Sequence, residues 1–268
     1  MGAWRLLLDP PGPGAWNMGV DEALLEVARR GGGASLRLYR WQGPWLSLGY
    51  AQRLSARQAL ALAQAQVGVV RRATGGRAVL HGADLTYCVA APESALPAGL
   101  RATYALLSRA LELAMRELGV AVERVGRRAE RSGDAGFDCF AAPAHDELCA
   151  RGRKLVGSAQ RRARGAVLQH GSIRLEADPP AAALAAGLEP GVATSLREEA
   201  CSLPLAQIQE VVTGAFARVL EVRFERAALT AAERAHALAR GPEPGFELAA
   251  PGRIGAGVAQ EGGVATDQ

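Results

Sequence analysis

The chain reads as an α+β protein, with a mixed or antiparallel β-sheet flanked by helices. Two observations predict this class. Helical and strand-like segments are mixed without the strict alternation that a doubly wound parallel sheet would show. No GxGxxG follows a strand, and no GxxxxGK[ST] phosphate loop is present, which argues against dinucleotide-binding and P-loop folds. With 268 residues, 49% of them apolar, and no long low-complexity run, the chain can bury one large core.

Element by element, Asn17 is placed to cap a helix reaching about Arg30, with Val20, Leu24, Leu25 and Ala28 on its apolar side. Ser35 to Trp41 alternates like a strand, and Ser55 can cap a second helix. VGVVRR reads as a buried strand, Gly75-Gly76 as a break, and Ala78 to Val89 as one bent strand or two. A strongly amphipathic helix runs from about Arg101 to Leu118. Asp138 to Leu175 reads as short strands joined by glycine turns, with Lys154 to Gln160 and Ala166 to Ile173 extended. Pro204 opens a helix to about Val219, and Thr230 to Ala239 is helical. Residues 1–225 are expected to form the catalytic domain. Residues 226–268 are expected to add a short helical segment and, beyond Gly241, a glycine- and proline-rich tail that is loosely held.

Composition narrows the function. The opening MGAWRLLLDP is too short and too soon interrupted to be a signal peptide or a membrane span, so a cytoplasmic protein with no membrane partner is expected. The net charge of +4 comes from scattered arginines with little aromatic interleaving, which is weak evidence for nucleic acid and fits an acidic protein partner at least as well, so no nucleic-acid partner is expected. Cys88, Cys139, Cys149 and Cys201 make neither a CxxC pair nor a secreted-type framework and read as reduced thiols.

Lys154 is the only lysine in the chain. An amine can be desolvated and its pKa lowered, whereas a guanidinium stays charged, so a position that kept lysine amid so many arginines suggests chemistry or close-range charge placement; a bias toward Ala, Gly and Arg that left one exposed lysine by chance reads the same way. Two segments surround it with partners. In RRATGGRAVLH, Arg71 to His81, followed by DLTY, Gly75 and Gly76 let the backbone approach a ligand, while Arg72, Arg77 and His81 offer donors; a tight hairpin with surface arginines would read the same way. Cys139 to Ile173 gathers two thiols, two imidazoles and the amine. A thiolate beside an ammonium has a depressed pKa and attacks thioesters readily, although a lone cysteine is more often a small buried residue. Cys139, His145, Cys149 and His170 are also four candidate zinc ligands, but their spacing matches no zinc-finger or zincin pattern.

Together these strings resemble the lipoate-protein ligase and octanoyltransferase superfamily, which shares a fold with biotin-protein ligase. RRATGGRAVLH…DLTY and GRKLVGSAQ…GAVLQHGSI carry the likeness, which spans about residues 5 to 220. Arg77 stands where ATP-dependent lipoate ligases usually have a third glycine, HGADLTY replaces their HD…GN, and the GRGR-type loop of biotin ligases is missing. The chain therefore looks most like the cysteine-dependent octanoyltransferases of the LipM type. The resemblance implies the biotin/lipoate protein ligase catalytic-domain fold. It also implies octanoyl transfer, without ATP or other cofactor or metal, from octanoyl-acyl carrier protein to a lysine of a lipoyl domain or glycine cleavage H protein, carried out by a monomer. Cys139, fifteen residues before Lys154, matches the acyl-carrying thiol. Arg72, Gly75, Gly76, Arg77 and His81 would line one wall of the acyl pocket, with Gly157, Ser158 and His170 on another. Amidotransfer between lipoyl-bearing proteins and ATP-dependent ligation are the rival activities.

Overall fold

The computed structural model describes residues 2–124, 148–189 and 191–240. Its elements are β1 (Ala3–Leu8), α1 (Gly14–Arg29), β2 (Ser35–Tyr39), β3 (Trp45–Leu48), α2 (Ala56–Gln64), β4 (Gly68–Arg71), β5 (Val79–His81), β6 (Asp84–Pro92), α3 (Leu100–Glu117), β7 (Glu123–Arg124), β8 (Leu148–Ala150), β9 (Arg153–Ala163), β10 (Ala166–Arg174), α4 (Pro180–Ala185), α5 (Leu205–Leu220), β11 (Arg223–Arg226) and α6 (Ala231–Ala239). The large sheet has the order β11-β1-β2-β6-β10-β9-β8-β7, and a small sheet has the order β4-β3-β5. β1 pairs in parallel with β2 and β11, and the rest of the large sheet is antiparallel. The α+β class and the mixed sheet expected from the sequence are what is found.

Strand alternation divides the core. Leu85, Tyr87 and Val89 of β6 join Leu36, Leu38, Leu107, Leu111, Val212 and Phe216 on the face covered by α3 and α5. The intervening Cys88 and Ala90 face Leu7, Val20, Leu24, Tyr39, Leu168 and Ala237 beneath α1 and α6. A third cluster, Leu46, Leu48, Leu62, Val69, Leu80 and Ala182, binds the small sheet to α2 and α4. Period-two side-chain direction therefore lets one set of strands serve two different surfaces.

Helix α2 begins as expected, with Ser55 and Gln58 forming a reciprocal capping box, and Thr230 with Glu233 does the same for α6. Asn17 does not cap α1. That helix starts at Gly14 behind Pro13, and the Asn17 side chain is buried, donating to the carbonyls of Gly12 and Arg40. Ala78 to Val89 resolves into two strands, β5 and β6, which belong to different sheets. The strands β3 and β11 and the helix α4 had no distinct signal, since each spans only one or two turns or a few apolar residues. Glu233 of α6 receives a paired hydrogen bond from Arg5, and Arg240 reaches Glu22 and the Arg71 carbonyl, fastening α6 across α1. No described helix is long and apolar enough to cross a membrane.

Candidate active site

On the α1 side of the large sheet, apolar packing gives way to buried charge. Arg37 on β2 is fully buried and donates to Asp9 at 2.7 Å, to Asp21 Oδ1 at 2.8 Å and to Asn17. Asp21 of α1 also accepts from the Tyr39 hydroxyl at 2.9 Å and meets His170 Nδ1 at 2.9 Å. Burial alone would push the Asp21 pKa up; the His170 hydrogen bond and the Arg37 charge outweigh it, and the pKa lies below the usual carboxylate value. An ionised Asp21 needs the proton on Nδ1, which fixes the ring so that Nε2 meets the Thr74 hydroxyl 2.7 Å away. Thr74 is the first residue of the Thr74-Gly75-Gly76 turn.

The same construction is repeated from the small sheet. Asp84 Oδ2 meets His81 Nδ1 at 2.8 Å, and His81 Nε2 meets Ser47 Oγ at 2.9 Å. The imidazole stacks on the Trp41 ring with centroids 4.0 Å apart. Burial opposes ionisation of Asp84, but the His81 charge and hydrogen bond and the Gly82 amide hold its pKa low. Ser47 offers its carbonyl and hydroxyl to Arg72, whose other terminal nitrogen donates to the carbonyls of Gly75 at 2.8 Å and Arg77 at 2.6 Å. The turn adopts φ +89° at Gly76, a backbone region that side chains disfavour. A Cβ built at Gly75 would meet no atom within 4 Å, so the turn borders open space.

Lys154 reaches this face through an irregularity. β8 pairs Leu148 with Val156 but Cys149 with Lys154, so Leu155 is an extra residue on β9. Such a bulge reverses the alternation locally. Leu155 and Val156 accordingly both enter the α3/α5 core, and the Lys154 side chain turns the opposite way, to the face that carries Gly157, Ala159, His170 and Ser172. Its backbone is held on the far side by residues 192–194, the Thr194 amide donating to the Lys154 carbonyl at 3.0 Å. The residue is only 1% exposed.

The structure thus gathers His170, Arg72, Gly75, Gly76, the Arg77 carbonyl and, through Ser47, His81 around the Thr74 turn, while Lys154 and Gly157 share the sheet face of His170 further along β9. The Ser158 hydroxyl instead points to the α3/α5 side, 2.7 Å from the Tyr87 hydroxyl. Gly171 permits this: a Cβ there would lie 2.6 Å from the Tyr87 ring and 2.3 Å from the Gly157 carbonyl. Cys139 and His145 lie outside the described residues. Among the described thiols, Cys201 belongs to the α3/α5 core, and burial followed by the Asp21 charge pushes the Cys88 pKa well above normal, keeping it protonated. Cys149 is buried as the cross-strand partner of Lys154. Both ring nitrogens of His170 are engaged by Asp21 and Thr74, which does not suit a metal ligand, and no metal-holding cluster occurs among the described residues.

Asp21, Arg37, Ser47 and Thr74 were not singled out from the sequence. One signal was available: Asn17 and Asp21 share the helical stripe of Leu24, Leu25 and Ala28, where a polar residue must be buried and therefore paired. Their partners are not sequence neighbours, since Asp21 and His170 are 149 positions apart.

A buried lysine on the sheet face that a braced glycine turn borders, with a second small sheet alongside, defines a class. The chain belongs to the lipoyl protein ligase A/B catalytic domain family, which matches residues 13–217. Within that family it is 39% identical over 256 residues to a protein named Octanoyltransferase LipM from Kyrpidia tusciae, covering 87% of this chain and 93% of the relative. A protein of the same name from Moorella thermoacetica is 39% identical over 249 residues, covering 86% and 91%. Among solved structures, lipoate-protein ligase A bound with ATP superposes with a TM-score of 0.76 at 20% identity, covering 89% of this chain and 94% of the other. A bipartite lipoate protein ligase from Thermoplasma acidophilum gives 0.71 at 20% identity, covering 89% and 92%. At that identity the structural likeness establishes the fold.

Proposed function

We propose that the chain is an octanoyltransferase of lipoate biosynthesis, using octanoyl-acyl carrier protein as donor and a lysine of a lipoyl domain or glycine cleavage H protein as acceptor. The near full-length likeness to proteins named Octanoyltransferase LipM carries this reading. In the first half-reaction the Cys139 thiolate attacks the donor thioester, the carrier thiolate leaves with a proton, and the octanoyl group is held as a thioester on Cys139. In the second, the acceptor amine attacks that carbonyl, an amide forms and the thiol is regenerated. Thioester exchange is nearly balanced and amide formation is downhill, so ATP has no role.

Lys154 is the proposed charge at the reacting carbonyl. As an ammonium it lowers the thiol pKa and stabilises the developing oxyanion in a medium that screens it weakly; as a neutral amine it instead takes the proton of the incoming acceptor amine. Because Leu155 is an extra residue of the bulge, Lys154 and the residue opposite His170, Ala159, are separated by about four regular strand rises, about 13 Å. On that face the intervening side chains are only those of Gly157 and Ser172. An extended eight-carbon chain is about 9 Å long, so it fits this strip between the amine and the braced turn. The arginine-rich balance suits encounter with acidic carrier and lipoyl domains. Cytoplasmic action as a monomer belongs to the same reading.

The test is transfer in the absence of nucleotide. Octanoyl-acyl carrier protein and an apo lipoyl domain should yield octanoylated domain without ATP. Product only from free octanoate with ATP and pyrophosphate release would establish a ligase, and product only from an octanoylated H protein donor would establish an amidotransferase.

A further inference from the structure

We propose that Thr74 is a positioning residue, through which the buried Asp21–His170 pair fixes the glycine turn that borders the acyl strip. The proposal rests on the octanoyl-transfer reading for what the turn does, but not for how the turn is held.

Two relays end on the same short segment from opposite sides. One descends from the large sheet, Asp21 to His170 to the Thr74 hydroxyl, with contacts of 2.9 and 2.7 Å. The other comes from the small sheet, Asp84 to His81 to Ser47 to Arg72, and holds the Gly75 and Arg77 carbonyls. Each starts from a buried carboxylate that holds Nδ1 of its imidazole, so each ring is fixed in orientation and presents Nε2 in one direction. The two sides differ in redundancy. Arg72 grips two carbonyls at once, whereas the Asp21–His170 relay reaches the turn through the Thr74 side chain, with Arg161 of β9 adding a 3.3 Å contact to the neighbouring Ala73 carbonyl. The Thr74 carbonyl, for its part, accepts from the Tyr50 amide at 3.0 Å. Thr74 is itself only 1% exposed, so its hydroxyl cannot exchange His170 for solvent without moving the turn. A turn containing two glycines has little intrinsic stiffness, and such bracing is what keeps its backbone in register with Lys154 across the strip.

The experiment compares Thr74→Val, which keeps shape and removes the hydroxyl, with Thr74→Ser, which restores it. Octanoyl transfer kinetics are measured alongside hydrogen exchange of the Tyr50 amide in the intact enzyme. Thr74→Val should lower kcat roughly tenfold with little change in KM and speed Tyr50 exchange by a similar factor, the worth of one lost hydrogen bond. Thr74→Ser should return both to near the wild-type values. Unchanged Tyr50 exchange in Thr74→Val, or Thr74→Ser as impaired as Thr74→Val, would overturn the proposal. So would wild-type turnover in Thr74→Val. If the wild-type protein transfers no octanoyl group, the functional reading fails, and the exchange comparison still decides whether Thr74 holds the turn.

Discussion

The two faces of the eight-stranded sheet are built from the same strands and do opposite work. On the α3/α5 face, Leu36, Leu38, Tyr87, Val89 and Phe216 are packed together and fully buried. On the other face, the alternate residues of those strands include Arg37, Asp84, Thr86, His170 and Ser172, which are just as buried but polar. Area removed from water stabilises the first face, while the second holds together because nearly every buried polar group has a partner. Substitutions should therefore separate cleanly, costing stability on one side and turnover or pH tolerance on the other.

The largest effect is expected on the apolar face. Phe216 is fully buried with its ring centroid 5.6 Å from that of Tyr87. Phe216→Ala should cost about 3–5 kcal/mol in urea unfolding, while transfer per folded molecule changes little. Loss of activity without loss of stability would break the division between faces.

On the polar face, Lys154→Arg keeps the charge but replaces a compact amine with a planar fork at a site 1% exposed. Octanoyl transfer should fall by about 10²–10³, the loss typical of one oxyanion donor. Full activity in Lys154→Arg would mean that the single lysine has no chemical role.

Acid sharpens the same contrast. Asp21 and Asp84 have pKa values lowered in the folded protein, so their contribution is complete above the unfolded carboxylate value of about 4 and is lost as pH falls through the lower folded values. Urea midpoints should be flat from neutral pH down to about 5 and then drop, and the drop should be shallower in Asp21→Asn. An equally steep acid limb in Asp21→Asn would place the titrating groups elsewhere.

How much of this was legible in the sequence follows from the range over which each signal acts. Ser55 and Thr230 were readable because a capping box is complete within four residues. The two faces were partly readable from alternation in Ser35 to Tyr39. Lys154 stood out by composition, and the glycine turn by its two adjacent glycines. Long-range pairings were not readable. Thr74 and His170 are 96 positions apart, and the bulge that turns Lys154 toward the polar face exists only in the pairing of β8 with β9. Asn17 misled for a related reason: an asparagine near a helix start usually caps it, whereas here it is committed to Arg37 and to the Gly12 and Arg40 carbonyls.

The smallest effect should be at the periphery, where the two faces no longer matter. Ser55→Ala removes an exposed cap from α2 and should cost about 1 kcal/mol in thermal or urea unfolding, with transfer unaltered. A much larger loss would show α2 to be a keystone of the small sheet.

The central claim is that an acyl group rides on Cys139 beside Lys154, while Cys149, although the cross-strand partner of Lys154, stays a spectator. Intact-protein mass after incubation with octanoyl-acyl carrier protein tests it directly in wild type, Cys139→Ser and Cys149→Ser. Wild type and Cys149→Ser should each gain one thioester-linked octanoyl group, and Cys139→Ser should gain none. An adduct that persists in Cys139→Ser, or disappears in Cys149→Ser, would contradict the account.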